Sequence, residues 1–218
     1  MSPRSTSAAR PARRTNTADA ILSAAKELFL ADGYDGVNLE RIAEHGGVSR
    51  QTVYNRFGSK EAVFRSMVEF HWASIRIDEI FSRTEAPGGD SAQVVLRKFA
   101  DAIFRFVSET EQIAFTRLVI AESRRLPWIG QEFYRLGKKP LLEAFVACIE
   151  TMTADGRLSC EHPEIAAHQF LGLIQEFVVW PKVMAVGPQD ADMPAKKVVV
   201  DEAIRMFLLR YGSAKVER

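Results

Sequence analysis

The sequence predicts an all-α protein with three short amino-terminal helices and a larger helical remainder. Three observations support this fold class. Apolar residues recur at steps of three and four through most of the 218 residues, Ser, Asn and Gly stand where these stretches begin and end, and no segment shows the two-residue alternation of a half-buried strand. The β-prone run at 198–200 continues into apolar residues at helical spacing, so a helix is expected there as well.

The composition is that of an ordinary globular protein, with 47% hydrophobic and 26% charged residues. No apolar run approaches the roughly 20 residues that span a bilayer, and no signal peptide is recognisable, so a cytoplasmic protein is expected. Cys148 and Cys160 are too few for a disulfide scaffold and lack the paired spacing of a zinc site. We therefore predict no metal and no cofactor.

The charge is unevenly distributed, although the net charge is only +1. Residues 1–60 hold nine Lys and Arg against six Asp and Glu, whereas the remainder holds twenty against twenty-two. The amino-terminal part is therefore the candidate contact for a polyanion. Residues 1–14, rich in Arg, Pro, Ser and Ala, are expected to form a flexible basic arm, and a plain disordered terminus is the alternative.

Capping residues and glycines divide the next segment into short helices. A first helix begins after Asn16 and ends at Gly33, and Asn38 can cap a second, very short helix that Gly46-Gly47 ends. Ser49 then caps the segment RQTVYNRF, in which Val53 and Phe57 lie one turn apart and face inward. A longer helix follows from Ser59 towards Arg83.

The outward side chains of the third helix are of the types that read DNA. The major groove admits a helix, whose outward side chains then meet base edges. Arg50 and Gln51 suit guanine and adenine edges, Thr52 suits a thymine methyl group or a phosphate, and Asn55 suits an adenine edge or a phosphate. The alternative is a short amphipathic helix with a polar solvent face. Tyr54, Arg56 and Lys60 are expected to position the helix on the DNA. The full set of predicted DNA contacts is Asn38, Ser49, Arg50, Gln51, Thr52, Tyr54, Asn55, Arg56 and Lys60.

A longer run of sequence carries a family resemblance. The segments AAKELF, RIAEHGGVS, TVYNRF and SKEAVF, together with Gly33-Tyr34, resemble the recurring pattern of the TetR/AcrR family of transcriptional regulators over residues 14–70. The resemblance implies a three-helix DNA-binding domain with residues 39–45 as its second helix and 49–55 as its recognition helix. The chain departs from the family pattern at His45-Gly46 and Asn55-Arg56, which bears on base contacts and not on the fold.

The remainder of the chain is predicted to be helical throughout. Helices are expected at about 91–110, 112–123, 127–155, 163–185 and 194–211. Residues 117–185 are similar to the carboxy-terminal domains of a subgroup that includes efflux regulators, which implies ligand binding and dimerisation. The full prediction is a basic arm at 1–14, a helix-turn-helix DNA-binding domain at 15–60, a linking helix at 61–83 and a ligand-binding and dimerisation domain at 84–218.

Two functional surfaces are expected in this larger part. Aromatic and apolar residues typical of small-molecule cavities, with Arg117, Glu122 or Gln175 as polar anchors, predict a ligand site, although packed core is the alternative. The predicted ligand residues are Trp72, Phe99, Ile103, Phe106, Arg117, Trp128, Phe133 and Gln175. The last two long helices predict a dimer interface. Its predicted residues are Phe170, Ile174, Phe177, Val178, Ile204, Phe207, Leu208 and Tyr211.

No catalytic constellation is recognisable. Gly130 and Gly137-Lys138 have six residues between the glycines and no Ser or Thr after the lysine, unlike a phosphate-binding loop, and His162 and His168 lie on different helical faces. We therefore expect no enzyme. The sequence predicts a ligand-responsive repressor that binds a palindromic DNA operator as a homodimer and responds to a largely apolar inducer. The alternative is a helical small-molecule-binding or enzymatic protein whose amino-terminal helices are only structural.

Overall fold

The computed structural model describes residues 17–81, 89–185 and 193–213, which form helices and no β-strand. The all-α prediction is confirmed for these residues, and the predicted basic arm lies outside them. None of their helices is long and apolar enough to cross a membrane. The helices are α1 Thr17–Asp32, α2 Leu39–His45, α3 Arg50–Phe57, α4 Lys60–Ala73, α5 Ile77–Phe81, α6 Ala92–Glu109, α7 Gln112–Ser123, α8 Pro127–Phe133, a π-helical turn Tyr134–Lys138, α9 Lys139–Ala154, α10 Pro163–Val178, α11 Trp180–Met184 and α12 Lys196–Tyr211.

The predicted caps of α2, α3 and α4 are confirmed, whereas the cap predicted at Asn16 for the first helix lies outside the described residues. Asn38 Oδ1 accepts a hydrogen bond from the Arg41 amide at 2.9 Å, and Ser49 Oγ and Ser59 Oγ accept from amides three residues later at 3.1 Å. Gly47, in the turn between α2 and α3, has a φ of +64°, which costs glycine little. Local chemistry therefore sets the start and the spacing of the helix-turn-helix.

Three predicted long helices are interrupted. The helix expected to run from Ser59 to Arg83 ends at Ala73, and α5 follows a residue of positive φ, Arg76. The helix expected at 127–155 contains the π-helical turn, and the helix expected at 163–185 breaks after Val178. Pro181 explains the last break, because it lacks an amide donor and its ring clashes with the preceding turn of a continuing helix.

Two aromatic clusters organise the core. Phe64 of α4 lies edge-to-face with Phe29, Phe115 and Trp128, so α4 joins the amino-terminal helices to α7 and α8. The second cluster lies deeper in the larger part, where Phe99 and Phe145 stack with ring centroids 4.2 Å apart. Because α4 contacts α1, α3, α8 and the π-helical turn, it joins the two parts of the chain, which also meet directly where α1 contacts α7.

Candidate DNA interface and ligand cavity

One face of helix α3 packs on the protein core, and the opposite face is exposed to solvent. Val53 is fully buried and Phe57 is half-buried against the core. The opposite face is polar and solvent-exposed, apart from half-buried Thr52. Its exposed members are Arg50, Gln51, Tyr54, Asn55 and Arg56. Because only Val53 and Phe57 of this short helix pack inward, most of its other side chains are available for contacts in the DNA major groove.

Polar contacts on the surface of α3 hold its side chains in defined positions. Gln51 Nε2 donates to Asn55 Oδ1 at 2.5 Å, one turn along the helix. Arg50 forms an ion pair with Glu40 of α2 at 2.7 Å, with both side chains at least half exposed. An exposed pair of this kind contributes at most about 1 kcal/mol, so a stronger acceptor can replace Glu40 at little cost.

Three further predicted DNA contacts have side chains that bond to the protein backbone. The side-chain oxygens of Asn38 and Ser49 accept hydrogen bonds from backbone amides, so both residues act as helix caps. Lys60 is half-buried, with its Nζ donating to the Tyr34 carbonyl at 2.9 Å and lying 4.2 Å from the centroid of the Tyr34 ring. Lys60 thus fixes the loop between α1 and α2 in addition to any role at phosphate.

Polar contacts also tie the amino-terminal part of the chain to α7 and to Glu111, the residue before it. Lys26 Nζ donates to Glu111 Oε2 at 2.6 Å, and this hydrogen bond lowers the pKa of Glu111. The Tyr34 amide donates to Glu122 Oε1 at 2.9 Å, so Glu122 faces this junction and not a ligand site. These long-range contacts were not predicted, because nothing in the local sequence pairs residues more than 80 positions apart.

A cavity of about 100 Å³ lies among α4, α6, α7, α9 and α10, beside the π-helical turn. Five of the eight predicted ligand residues line it, and Phe99, Arg117 and Trp128 do not. The lining residues are Trp72, Ile103, Phe106, Val107, Gln112, Thr116, Phe133, Lys138, Leu141, Leu171, Gln175, Val179 and Trp180.

The three residues that do not line this cavity make other contacts in the protein. Phe99 is fully buried in the second aromatic cluster. Trp128, in α8, packs against the amino-terminal helices and α4, with its ring 5.3 Å from that of Tyr34. Arg117 donates to the backbone carbonyls of Lys182 and Val183 at 2.5 and 2.9 Å, and so secures α11 on α7.

His71 connects α4 to the wall of the cavity. Burial lowers the pKa of His71 to about 4, so the ring is neutral near pH 7. Its Nε2 donates to Gln112 Oε1 at 2.7 Å, and Gln112 Nε2 donates to Thr116 Oγ1 at 3.0 Å. Both of these latter residues line the cavity. The partner of His71 lies 41 positions away, so the local sequence gives no sign of this hydrogen bond.

Trp72, the next residue of α4, has an unpaired donor. Among the described residues, Trp72 Nε1 is the one buried side-chain nitrogen or oxygen without a hydrogen-bond partner, at a cost of about 1–3 kcal/mol. The indole lies so close to Gly137 in the π-helical turn that a Cβ atom there would overlap it. The glycine therefore permits the close approach of α4 to this turn.

The predicted dimer residues lie mainly in the core, which corrects that prediction. Phe170, Ile174, Val178, Ile204, Phe207 and Tyr211 are buried within the protomer, Leu208 is half-buried and Phe177 is 40% exposed. Phe170 packs on Phe207, with ring centroids 5.4 Å apart, so a second copy cannot reach them without unpacking the protomer. The more exposed apolar side chains of α10 and α12 are Ile165, Leu173, Phe177, Val198, Met206 and Leu209.

No group of three or more His, Cys, Asp or Glu side chains suited to a metal occurs in the part of the chain that the structure describes. Cys148 and Cys160 are both buried, and burial raises the pKa of the Cys160 thiol. Both cysteines therefore lack the exposure of a reactive cysteine.

Known proteins resemble the chain over nearly its whole length. Residues 21–67 match the family model of bacterial regulatory proteins of the tetR family, and residues 94–213 match the carboxy-terminal domain of AefR-like transcriptional repressors. The helix-turn-helix-type regulator YezE of Bacillus subtilis is 24% identical over 149 residues, which cover 67% of this chain and 75% of YezE.

Solved structures share the fold as well. A TetR-family regulator from Mesorhizobium loti is 26% identical with a TM-score of 0.74, over 90% of this chain and 96% of that one. The flavonoid-responsive regulator FrrA is also 26% identical, with a TM-score of 0.71 over 90% and 97% of the two chains. The described helix-turn-helix and both family matches agree, and this chain belongs to the TetR family of helix-turn-helix transcriptional regulators.

Proposed function

We propose that the protein is a repressor that binds a palindromic operator as a homodimer and is released from it by a small-molecule inducer. The observation that carries the proposal is the third helix, in which fully buried Val53 lies opposite a face of exposed polar side chains. A helix supported in this way can enter the major groove while the core behind it stays intact.

Within α3, the proposed base readers are Arg50, Gln51, Thr52 and Asn55. On binding, Arg50 exchanges its exposed ion pair with Glu40 for a base edge, and the Gln51–Asn55 pair opens towards DNA. The flanking groups are proposed to contact phosphates or to hold the helix in place. Their contribution to the free energy of DNA binding therefore does not depend on the identity of the bases. They are Asn38, Ser49, Tyr54, Arg56 and Lys60.

A second copy of the chain is the proposed partner of the exposed apolar face of α10 and α12. A groove of about 330 Å³ on this face is lined almost entirely by apolar side chains, among them Leu173, Phe177, Val198 and Met206. TetR-family regulators act as dimers, and two antiparallel helices from each copy would form a four-helix interface. The two recognition helices would then lie about 34 Å apart, one turn of DNA.

The cavity beside Trp72 is the proposed inducer site. The similar structure FrrA is that of a flavonoid-responsive regulator, which favours a small-molecule trigger here. A ligand in the cavity would press on Trp72 and thus on α4, which packs on α1 and α3. Release from DNA requires only that the ligand bind more tightly to the dimer with displaced recognition helices.

A gel-shift titration against DNA that flanks the gene of this protein tests the proposal. A repressor of this kind binds a specific site at least about 10³-fold more tightly than a scrambled duplex of equal length, and its affinity falls steeply with salt. Equal affinity for the two duplexes at every salt concentration would contradict specific regulation through this flanking DNA.

A further inference from the structure

The cavity beside Trp72 has one charged residue in an otherwise apolar and neutral wall. Ten of its described lining residues are apolar, aromatic or Thr, and two are glutamines. Among the described lining residues, only Lys138 carries a charge. Lys138 ends the π-helical turn and is half-buried. Its position places a positive charge where the surroundings solvate it poorly, and burial accordingly lowers its pKa.

The Lys138 ammonium has no counter-charge within the described parts of the chain. Other cationic side chains nearby are paired, as Lys139 is with Glu143 at 2.6 Å and Arg135 with Glu132 at 2.7 Å. Lys138 makes no side-chain hydrogen bond or ion pair to any described residue, and the Gln175 amide makes none either. A half-buried cation in the wall of a largely apolar cavity, with the Gln175 amide in the same wall, suits the recognition of an oxyanion.

We infer that the cavity takes a small organic anion, with a compact apolar body among the aromatic side chains and a carboxylate-type oxyanion head paired with Lys138. The inference rests on the proposed inducer site and adds the charge of its ligand. Trp180 lines the cavity while it is 39% exposed, so the cavity reaches the surface beside this indole. A volume of about 100 Å³ is below the roughly 150 Å³ of a cavity that holds benzene, so the apolar body is smaller than an aromatic ring.

Binding of the anion also supplies the interaction that the Lys138 ammonium lacks. Because a charge-assisted hydrogen bond contributes about 1.5–3 kcal/mol, the anionic form of a ligand should bind about tenfold more tightly, or more, than a neutral ligand of the same shape. The apolar body binds either form equally. Lys138 therefore acts as a specificity-determining residue for charge.

The probes are butanoate and butanamide, which differ in charge and hardly in shape and are smaller than a substituted benzene, titrated into the full chain at pH 7 and followed by ligand-detected NMR. Wild type is expected to prefer butanoate about tenfold or more. Lys138→Met and Lys138→Gln should bind both probes with the affinity of the amide. The matched control Lys139→Met, which loses only an exposed ion pair outside the cavity, should keep the wild-type preference.

Equal binding of the two probes by wild type, or a preference that survives in both Lys138 variants, would overturn the inference, as would the absence of binding by either probe. Thermal melting of each variant checks that it is folded. A gel shift of the ligand-free protein tests the proposed function separately. If the protein binds its operator but shows no charge preference, only the inference of an anion site is contradicted. If it shows the charge preference but does not bind an operator, only the proposed repressor function is contradicted.

Discussion

At the scale of single residues, the described side chains of α3 divide into anchors and readers. Val53 is inaccessible, whereas Gln51 is exposed and aligned by its hydrogen bond to Asn55. This division follows from a periodicity of 3.6 residues, which is why it could be predicted from sequence. The partners of Lys60 and His71 could not be predicted, because both lie on other segments of the chain.

Replacing Gln51 by Ala tests its assignment as a base reader. The variant should lose about 1–3 kcal/mol of discrimination at one base position of the operator and keep its affinity for unrelated DNA. The measurement is a set of binding curves on operators with single base changes. Gln93→Ala, at an exposed glutamine on α6, is the matched control and should be neutral. A uniform loss on every duplex would instead assign Gln51 to phosphate.

Protonation of His71 should make the protein acid-sensitive. Its pKa is about 4 when folded and about 6.5 when unfolded. Because the folded pKa is the lower one, the stability is complete above pH 6.5 and is lost as the pH falls towards 4, by about 2 kcal/mol at pH 5. Denaturant unfolding at fixed protein concentration measures this loss. His71→Gln should lose about 2 kcal/mol less than wild type between pH 7 and 5, and an equal loss in both proteins would exclude His71 as the cause.

At the scale of elements, the helix starts were predicted well and the interruptions poorly. Caps at Asn38, Ser49 and Ser59 lie within three residues of the amides they bind, so the sequence displays them directly. The π-helical turn has no such local signal. It places Gly137 against Trp72, a contact 65 positions apart that helical periodicity cannot show.

Gly137→Ala tests the packing of α4 on this turn. The added methyl group overlaps the Trp72 indole, so we expect a loss of about 1–3 kcal/mol in the free energy of unfolding. Trp72→Ala removes the three indole atoms that the methyl group would meet. In the double variant, the Gly137 substitution should therefore cost much less than it does alone. Additive losses in denaturant unfolding would show that the two residues act independently.

At the scale of the whole molecule, the larger helical part of the chain could be predicted from the sequence, whereas the residues that form its surfaces could not. Apolar periodicity marks the faces of α10 and α12 but does not say which face meets the protomer core and which meets a partner. The structure assigns Phe170 and Phe207 to the core and leaves Met206 and Leu209 exposed. Likewise, aromatic residues occur both in the packed core and in the cavity wall, so the sequence could not distinguish Phe99, a core residue, from Trp72, which lines the cavity.

Met206→Glu tests the proposed dimer face. Met206 is 55% exposed within the protomer, so a charge there leaves the protomer intact but is buried without a partner in the proposed dimer. Sedimentation should show monomers, with affinity for the operator lost in parallel. Ile120→Glu, at a 51% exposed apolar residue on α7, is the control and should remain dimeric. A dimeric Met206→Glu protein with normal affinity would place the interface elsewhere.

The central claim is that a dimer of this chain reads DNA through two copies of α3. Selection from a pool of randomised duplexes by the full-length protein tests it most directly, since no operator need be assumed. The account predicts enrichment of an inverted repeat whose half-sites lie about one helical turn, roughly 34 Å, apart, and loss of base preference at one position in each half-site for Gln51→Ala. A pool that shows no enriched sequence, or the same enriched sequence with unchanged preferences for Gln51→Ala, would contradict it.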